Sequence, residues 1–164
     1  MTPREAGLAG ALGALVLDQG SKLLLLYGLG LAHAPRDIAV LPFLDVTLTW
    51  NAGVSFSLFA VHSMAGVFAL VAFKIVAIAA FGWWMWQAPR RLQAIGQGLV
   101  IGGALGNLLD RFTYGGVADF FDLHAFGQNF FVCNLADVAI SVGVAALLYD
   151  TIFDVASSRE VETR

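Results

Sequence analysis

Two carboxylates in this chain lie where chemistry is possible and comfort is not. Asp119 stands in "VADF" among apolar neighbours, and Asp137 stands in "NLADVAI" at the mouth of an apolar run that continues to Phe153. An ionised carboxylate at a membrane boundary costs several kcal/mol unless something compensates it. Two brought together in a poorly hydrated site cannot easily both ionise, so one keeps a proton while the other stays charged. Such a pair can take a proton from water as base and return one to a leaving group as acid, the chemistry of an aspartic protease. Asp137 has a plainer reading as well: Asn134 precedes it by three residues, a near relative of the capping box at a helix start. Asp122 rivals Asp119, but three residues along a strand place it on the opposite face.

Elements that could position these groups follow from composition. Of 164 residues, 59% are hydrophobic and 13% charged, too apolar for a soluble domain and not the composition of a nucleic-acid binder. A hydrocarbon core of ~30 Å takes roughly 20 helical residues to cross. Four segments qualify, at about 6–26, 64–86, 94–109 and 135–153, with longer connections at about 27–63 and 110–134. The expectation is an α-helical integral membrane protein forming a single membrane domain over residues 1–164. Arg4, the Arg90–Arg91 loop, Arg159 and Arg164 fall on one side against Arg36 on the other, which places both termini in the cytoplasm and the long connections outside. A cleaved signal peptide ending at Ala32-His33-Ala34 is disfavoured, because the run is long and contains Asp18 and Lys22.

Other polar residues each admit a structural and a functional reading. "DVTLTWN" alternates Val46, Leu48 and Trp50 with threonines, the period of a strand in a small outer sheet, and Val117–Phe121 reads as another. "NAGVSF", residues 51–56, is a turn or part of a site. Gly98, Gly102 and Gly106 at spacing four present bare helix backbone to a neighbour, and without a P-loop lysine they read as packing rather than phosphate binding. At the outer end of that helix, Asp110 can pair with Arg111, while Asn107 and Arg111 can donate to a bound substrate. Asp18 and Lys22, four apart, share a helix face and can neutralise each other. Lys74, near the midpoint of the second helix, is costly there, and its depth suggests a contact with Asp18. Cys133 is read as a packed small residue rather than a nucleophile partnered by His124 or His62, and no spacing suggests a metal site.

Taken in order, "DQGSK" (18–22), "NAGVSF" (51–56), "GGALGNLLDR" (102–111), "VADF" (117–120) and "NLAD" (134–137) resemble the motifs of lipoprotein signal peptidase, or signal peptidase II. The resemblance covers most of the chain. It implies an intramembrane aspartic endopeptidase of the bacterial inner membrane, its site near the periplasmic face, which removes signal peptides from prolipoproteins by cutting before a diacylglyceryl-modified Cys. It implies Asp119 and Asp137 as the catalytic pair, and Asn51, Gly53, Asn107, Arg111 and Asn134 as residues lining the site. Asp18 and Lys22 become a supporting polar pair and the outer strands a β-cradle, with inhibition by globomycin-like cyclic peptides. A monomer surrounded by membrane lipid, without metal, cofactor or nucleic acid, is expected. Cys133 and Val138 depart from the family's usual Phe and Ser. The rival class is a small transporter relaying protons through Asp18, Lys74 and Asp137; a membrane scaffold that only binds partners gives no reason for two carboxylates flanked by Asn and Arg.

Overall fold

The computed structural model describes residues 1–51, 64–126 and 128–162. Its first helix, α1 (Pro3–Leu23), begins with a full capping box: Thr2 Oγ1 accepts the Glu5 N–H at 3.2 Å, and Glu5 Oε2 accepts the Thr2 N–H at 2.8 Å. It loosens into a π turn at Leu24–Gly28 before the chain enters the sheet. There β1 (Ile38–Leu41) and β2 (Leu44–Asn51) form an antiparallel pair. The remaining elements are α2 (Met64–Trp86), α3 (Arg91–Tyr114), β3 (Val117–Ala125), β4 (Gln128–Cys133) and α4 (Leu135–Glu162).

All four helices are long and apolar enough to cross a membrane, and the four strands make one antiparallel sheet in the order β1-β2-β3-β4. The expected fold class is therefore the observed one. Only β2 and β3 are legible as strands in the sequence. β1 and β4 complete the sheet from segments whose side chains do not alternate cleanly, including the exposed Val40, Leu41, Phe130 and Phe131.

α3 is the hub, packed against α1, α2 and α4. Its apolar run ends near Leu109 but the helix continues to Tyr114, because Asn107 and Asp110 find hydrogen-bond partners inside the protein. At 24 residues α3 is ~36 Å long, enough to carry its outer turn up to the sheet. The glycine stripe explains how closely α1 approaches. A Cβ on Gly98 would collide with the Gly7 carbonyl, one on Gly102 with the Ala11 carbonyl, and one on Gly106 with the Asp18 carboxylate. On the other side, Gly96 and Gly143 bring α4 against α3 in the same way.

Gly115, at φ 78°, is the left-handed stop that turns α3 into β3, and its N–H caps the Arg111 carbonyl at 3.1 Å. That turn puts Ala118 and Phe120 into a small core with Leu26, Leu31 and Val46 beneath the sheet. Asp119 lies between them in sequence and projects from the other side of the strand.

Candidate active site

Five elements converge at the sheet end of the bundle. β3 brings Asp119, paired in register with Thr49 of β2, while the end of β2 brings Asn51. The last turns of α3 bring Asn107, Asp110 and Arg111. The start of α4 brings Asn134 and Asp137, and α1 brings Asp18 and Lys22. Of these, Asp18, Lys22, Asn107, Asp110, Asp119 and Asn134 are each at most 2% exposed.

Burying so many polar groups demands that they satisfy one another. Lys22 Nζ lies 2.8 Å from Asp18 Oδ2, 2.7 Å from Asp110 Oδ2 and 3.3 Å from Asn107 Oδ1. The remaining lone pairs of the two carboxylates take protein donors. Asp18 Oδ1 accepts the Ala136 N–H in the first turn of α4 at 2.9 Å, and Asp110 Oδ2 accepts the Ala118 N–H at 3.1 Å. Gln19 Nε2 donates to Asp18 Oδ2 at 3.1 Å and Asp110 Oδ1 at 3.0 Å. One ammonium between two anions thus ties α1, α3, β3 and α4 together.

Asn107 passes this order on to the candidate pair. Its Oδ1 faces the ammonium, so its Nδ2 points the other way and donates to Asp137 Oδ1 at 2.9 Å. The same Oδ1 accepts Asn134 Nδ2 at 3.0 Å, and Asn134 Nδ2 also donates to Asp119 Oδ1 at 2.6 Å. Asn51 Nδ2 donates to Asp119 Oδ2 at 3.1 Å. Asp119 and Asp137 therefore stand at two ends of one amide bridge, Asn134–Asn107.

The capping arrangement at α4 is present as well. Asn134 Oδ1 accepts the Asp137 N–H at 3.0 Å, and Asp137 Oδ2 accepts the Asn134 N–H at 3.4 Å. The two readings of Asp137 are compatible, since one oxygen serves the cap and the other faces Asn107. The positive end of the α4 dipole adds to the support for its charge.

Burial pushes the Asp119 carboxyl up to about 6, and the nearby charge of Asp137 pushes the same way against the hydrogen bonds from Asn51 and Asn134 and the charge of Lys22. Cys133 is buried and reduced, and burial with the charges of Asp137 and Asp119 lifts its thiol to about 11. A thiol that reluctant to ionise is a packing residue and not a nucleophile. Arg111 is buried, with the charges of Asp119 and Asp110 facing it. Asp122 stays out of the network, accepting Asn129 Nδ2 at 2.8 Å on the neighbouring strand. Gly53 and His62 lie outside the described residues.

Two sequence expectations need correction. Asp110 pairs with Lys22 rather than standing as the simple partner of Arg111, because its side chain points into the bundle toward α1. Asp18 and Lys74 do not meet, since Asp18 is occupied by Lys22, Gln19 and the Ala136 N–H, and α2 touches α1 only lightly. Gln19 was not anticipated; its place beside Asp18 in "DQGSK" was the available signal.

The sequence model of a family described as signal peptidase (SPase) II matches residues 10–153. The chain belongs to the signal peptidase II family. A lipoprotein signal peptidase of Rhodopseudomonas palustris is 48% identical over 163 residues, covering 97% of this chain and 99% of that protein. Another, from Nitrobacter hamburgensis, is 45% identical over 155 residues, covering 92% and 94%. Two solved structures, each titled as a bacterial membrane enzyme determined by the in meso method, share the fold. One has a TM-score of 0.77 at 23% identity, covering 93% of this chain and 91% of its own. The other has a TM-score of 0.72 at 24% identity, covering 90% and 92%. As a signal peptidase II the protein is an aspartic peptidase embedded in a membrane, and the transporter reading finds no support among its relatives.

Proposed function

We propose that this signal peptidase II, which removes signal peptides from prolipoproteins, works at the outer face of the bacterial inner membrane with Asp119 and Asp137 as its catalytic pair. The observation that carries this reading is the Asn134–Asn107 bridge, which holds two carboxylates from different elements toward one place at the end of the bundle. One carboxylate takes a proton from water as its oxygen attacks the scissile carbonyl, while the protonated partner gives its proton to the carbonyl oxygen, and a tetrahedral diol results. The first carboxyl then passes the proton it took to the departing amine as the carbon–nitrogen bond breaks, and the partner regains a proton from the diol as the new carboxyl group forms. That amine belongs to the diacylglyceryl-modified Cys, so the lipid stays with the mature protein. The raised Asp119 carboxyl is suited to carry the proton with which the cycle begins.

The asparagines act first on the enzyme itself. Asn51, Asn107 and Asn134 aim amide hydrogens at the carboxylates, fixing their orientation before substrate arrives. Arg111, and Gly53 just beyond β2, are assigned to the substrate's peptide groups, and Asp18 and Lys22 to support beneath the pair. The enzyme is proposed to work as a monomer. Cyclic peptides of the globomycin type would compete with the substrate for the same residues.

Topology is supported by the end opposite the sheet. Arg4 Nε donates to the Trp86 carbonyl at 2.9 Å with its guanidinium 5.0 Å from the Trp86 ring, and Arg90 pairs with Asp150 at 2.8 Å. Basic residues clustered with exposed Trp83, Trp84 and Trp86 support the reading of this end as the cytoplasmic interface.

The test is cleavage of a diacylglyceryl-modified prolipoprotein by purified enzyme, with and without a chelator. Chelator-resistant cleavage before the Cys is expected, falling by roughly 10²–10⁴-fold in folded Asp119→Asn and Asp137→Asn. Near-full activity in either variant overturns the assignment and leaves Asp137 as a helix cap.

A further inference from the structure

A cavity of about 350 Å³ opens at the end of the bundle opposite the sheet, between the start of α1 and the end of α2. Thr2, Pro3, Arg4, Trp86, Gln87 and Ala88 line it. Its volume lies within the ~300–1,000 Å³ of small-molecule sites. The proposed peptidase chemistry makes no use of it, being built at the other end of the helices. Its level in the membrane follows from its neighbours. Trp83, Trp84 and Trp86 are exposed where α2 ends, and amphipathic indoles settle among lipid headgroups.

Arg4 is the charged wall of this cavity, and it is held in place before any ligand arrives. Its Nε donates to the Trp86 carbonyl at 2.9 Å, and its guanidinium lies 5.0 Å from the centre of the Trp86 ring. With Nε committed, the two Nη groups keep their hydrogens, which find no acceptor among the described residues. The same turn of α1 adds one more donor: Thr2 Oγ1 accepts the Glu5 N–H and Pro3 has none, so the Arg4 N–H is left open. Among the described side chains of this end, both carboxylates are engaged. Glu5 accepts the Thr2 N–H at 2.8 Å, and Asp150 pairs with Arg90 at 2.8 Å. Arg91 is a further exposed cation a few residues past Ala88. A planar fork of N–H donors, fixed in orientation and short of negative charge, suits phosphate oxygens.

We infer that this cavity binds the phosphate of an anionic phospholipid through the Nη groups of Arg4, and that the bound lipid braces α1 against α2. These two helices touch only lightly along the rest of their length, and the Arg4–Trp86 contact ties them at this rim. A lipid phosphate seated there neutralises Arg4 and leaves its acyl chains beside the exposed Trp83 and Trp86 in the hydrocarbon. A zwitterionic headgroup fits less well. It carries an ammonium toward Arg4 and Arg91, and the Trp86 ring that could receive a cation is already covered by Arg4. The site is independent of the catalytic pair and of which side of the membrane this end faces.

The experiment is thermal unfolding of the full-length protein in a neutral detergent, titrated with phosphatidylglycerol, phosphatidylcholine or inorganic phosphate, in wild type, Arg4→Gln and Arg91→Gln. In wild type, phosphatidylglycerol should raise the midpoint roughly 2–4 °C above its value in phosphatidylcholine, the shift that ligand at about five times its dissociation constant gives a chain of this length. The gain should vanish in Arg4→Gln and survive in Arg91→Gln, whose side chain does not line the cavity. Each variant is compared with itself in the two lipids, so the contact with Trp86 that Arg4→Gln loses cancels. Equal midpoints in both lipids, or a gain kept in Arg4→Gln, overturns the inference. A gain lost as fully in Arg91→Gln also overturns it, by showing diffuse attraction in place of a site. Inorganic phosphate at the same concentration should have no effect; an equal gain from it overturns the lipid as the ligand and makes the cavity a site for soluble phosphate. If Arg4→Gln does not fold, Gln87→Trp, which fills the cavity from an exposed position and spares the Arg4–Trp86 contact, is read by the same criterion.

Discussion

At the inner end of the α1–α3 seam, Gly98 and Gly102 bring bare backbone against Gly7 and Ala11, and nothing polar is exchanged between the side chains. About three turns outward the same two helices meet through Asp18, Lys22, Asn107 and Asp110, all at most 1% exposed and all hydrogen-bonded. Inside a bilayer there is no hydrophobic force between apolar helices, so association needs either close van der Waals approach or polar partners. This protein uses one at each end of a single seam. The inner half is consequently intolerant of volume and the outer half intolerant of charge. The outer solution is the more expensive one, and it sits beside the proposed catalytic pair.

Breaking the outer half should do the most damage. Lys22→Met leaves Asp18 and Asp110 buried around a missing cation, and losing one partner of a buried pair costs roughly 3–5 kcal/mol. Thermal unfolding in detergent should register this as a large fall in midpoint, whereas a variant that unfolds like wild type would show the outer network to be dispensable. The inner half should fail differently. Gly98→Ala puts a methyl group against the Gly7 carbonyl, an obstacle that cannot rotate away, so the cost should reach roughly 3 kcal/mol. Polar but small Gly98→Ser should be no better, because volume and not polarity is at issue. The smallest effect is expected at the rim opposite the sheet. Arg90 is 39% exposed, and Arg90→Ala should cost no more than about 1 kcal/mol despite its 2.8 Å contact with Asp150.

The same contrast governs what could be read before the fold was known. Apolar runs and the glycine spacing gave the inner half directly, since length and residue size are written into the chain. β2 and β3 were legible because Val46, Leu48 and Trp50 alternate with threonines and Val117–Phe121 carries one polar residue in an apolar strand. β1 and β4 were not, because as edge strands they bury little and their side chains do not alternate between buried and exposed. In the outer half, residue identities were legible but partners were not. "NLAD" suggested both a cap and a catalytic carboxylate, and the geometry accommodates both. Asp110 beside Arg111 suggested a local pair, yet helix rotation turns Asp110 toward Lys22. Depth alone suggested Asp18 with Lys74, and depth alone says nothing about which face of α2 meets which helix.

Whether the two carboxylates act on each other is the point on which the account stands. The direct measurement is an isotope-edited infrared titration of Asp119 in wild type and in Asp137→Asn. In wild type Asp119 should release its proton at about 6, well above an ordinary aspartate. Part of that elevation comes from the negative charge of Asp137, and a neutral amide in its place removes it, so the Asp119 midpoint should move down in the variant. A midpoint that stays where it was would mean that Asp119 and Asp137 do not sense each other, and the catalytic pair would have to be abandoned.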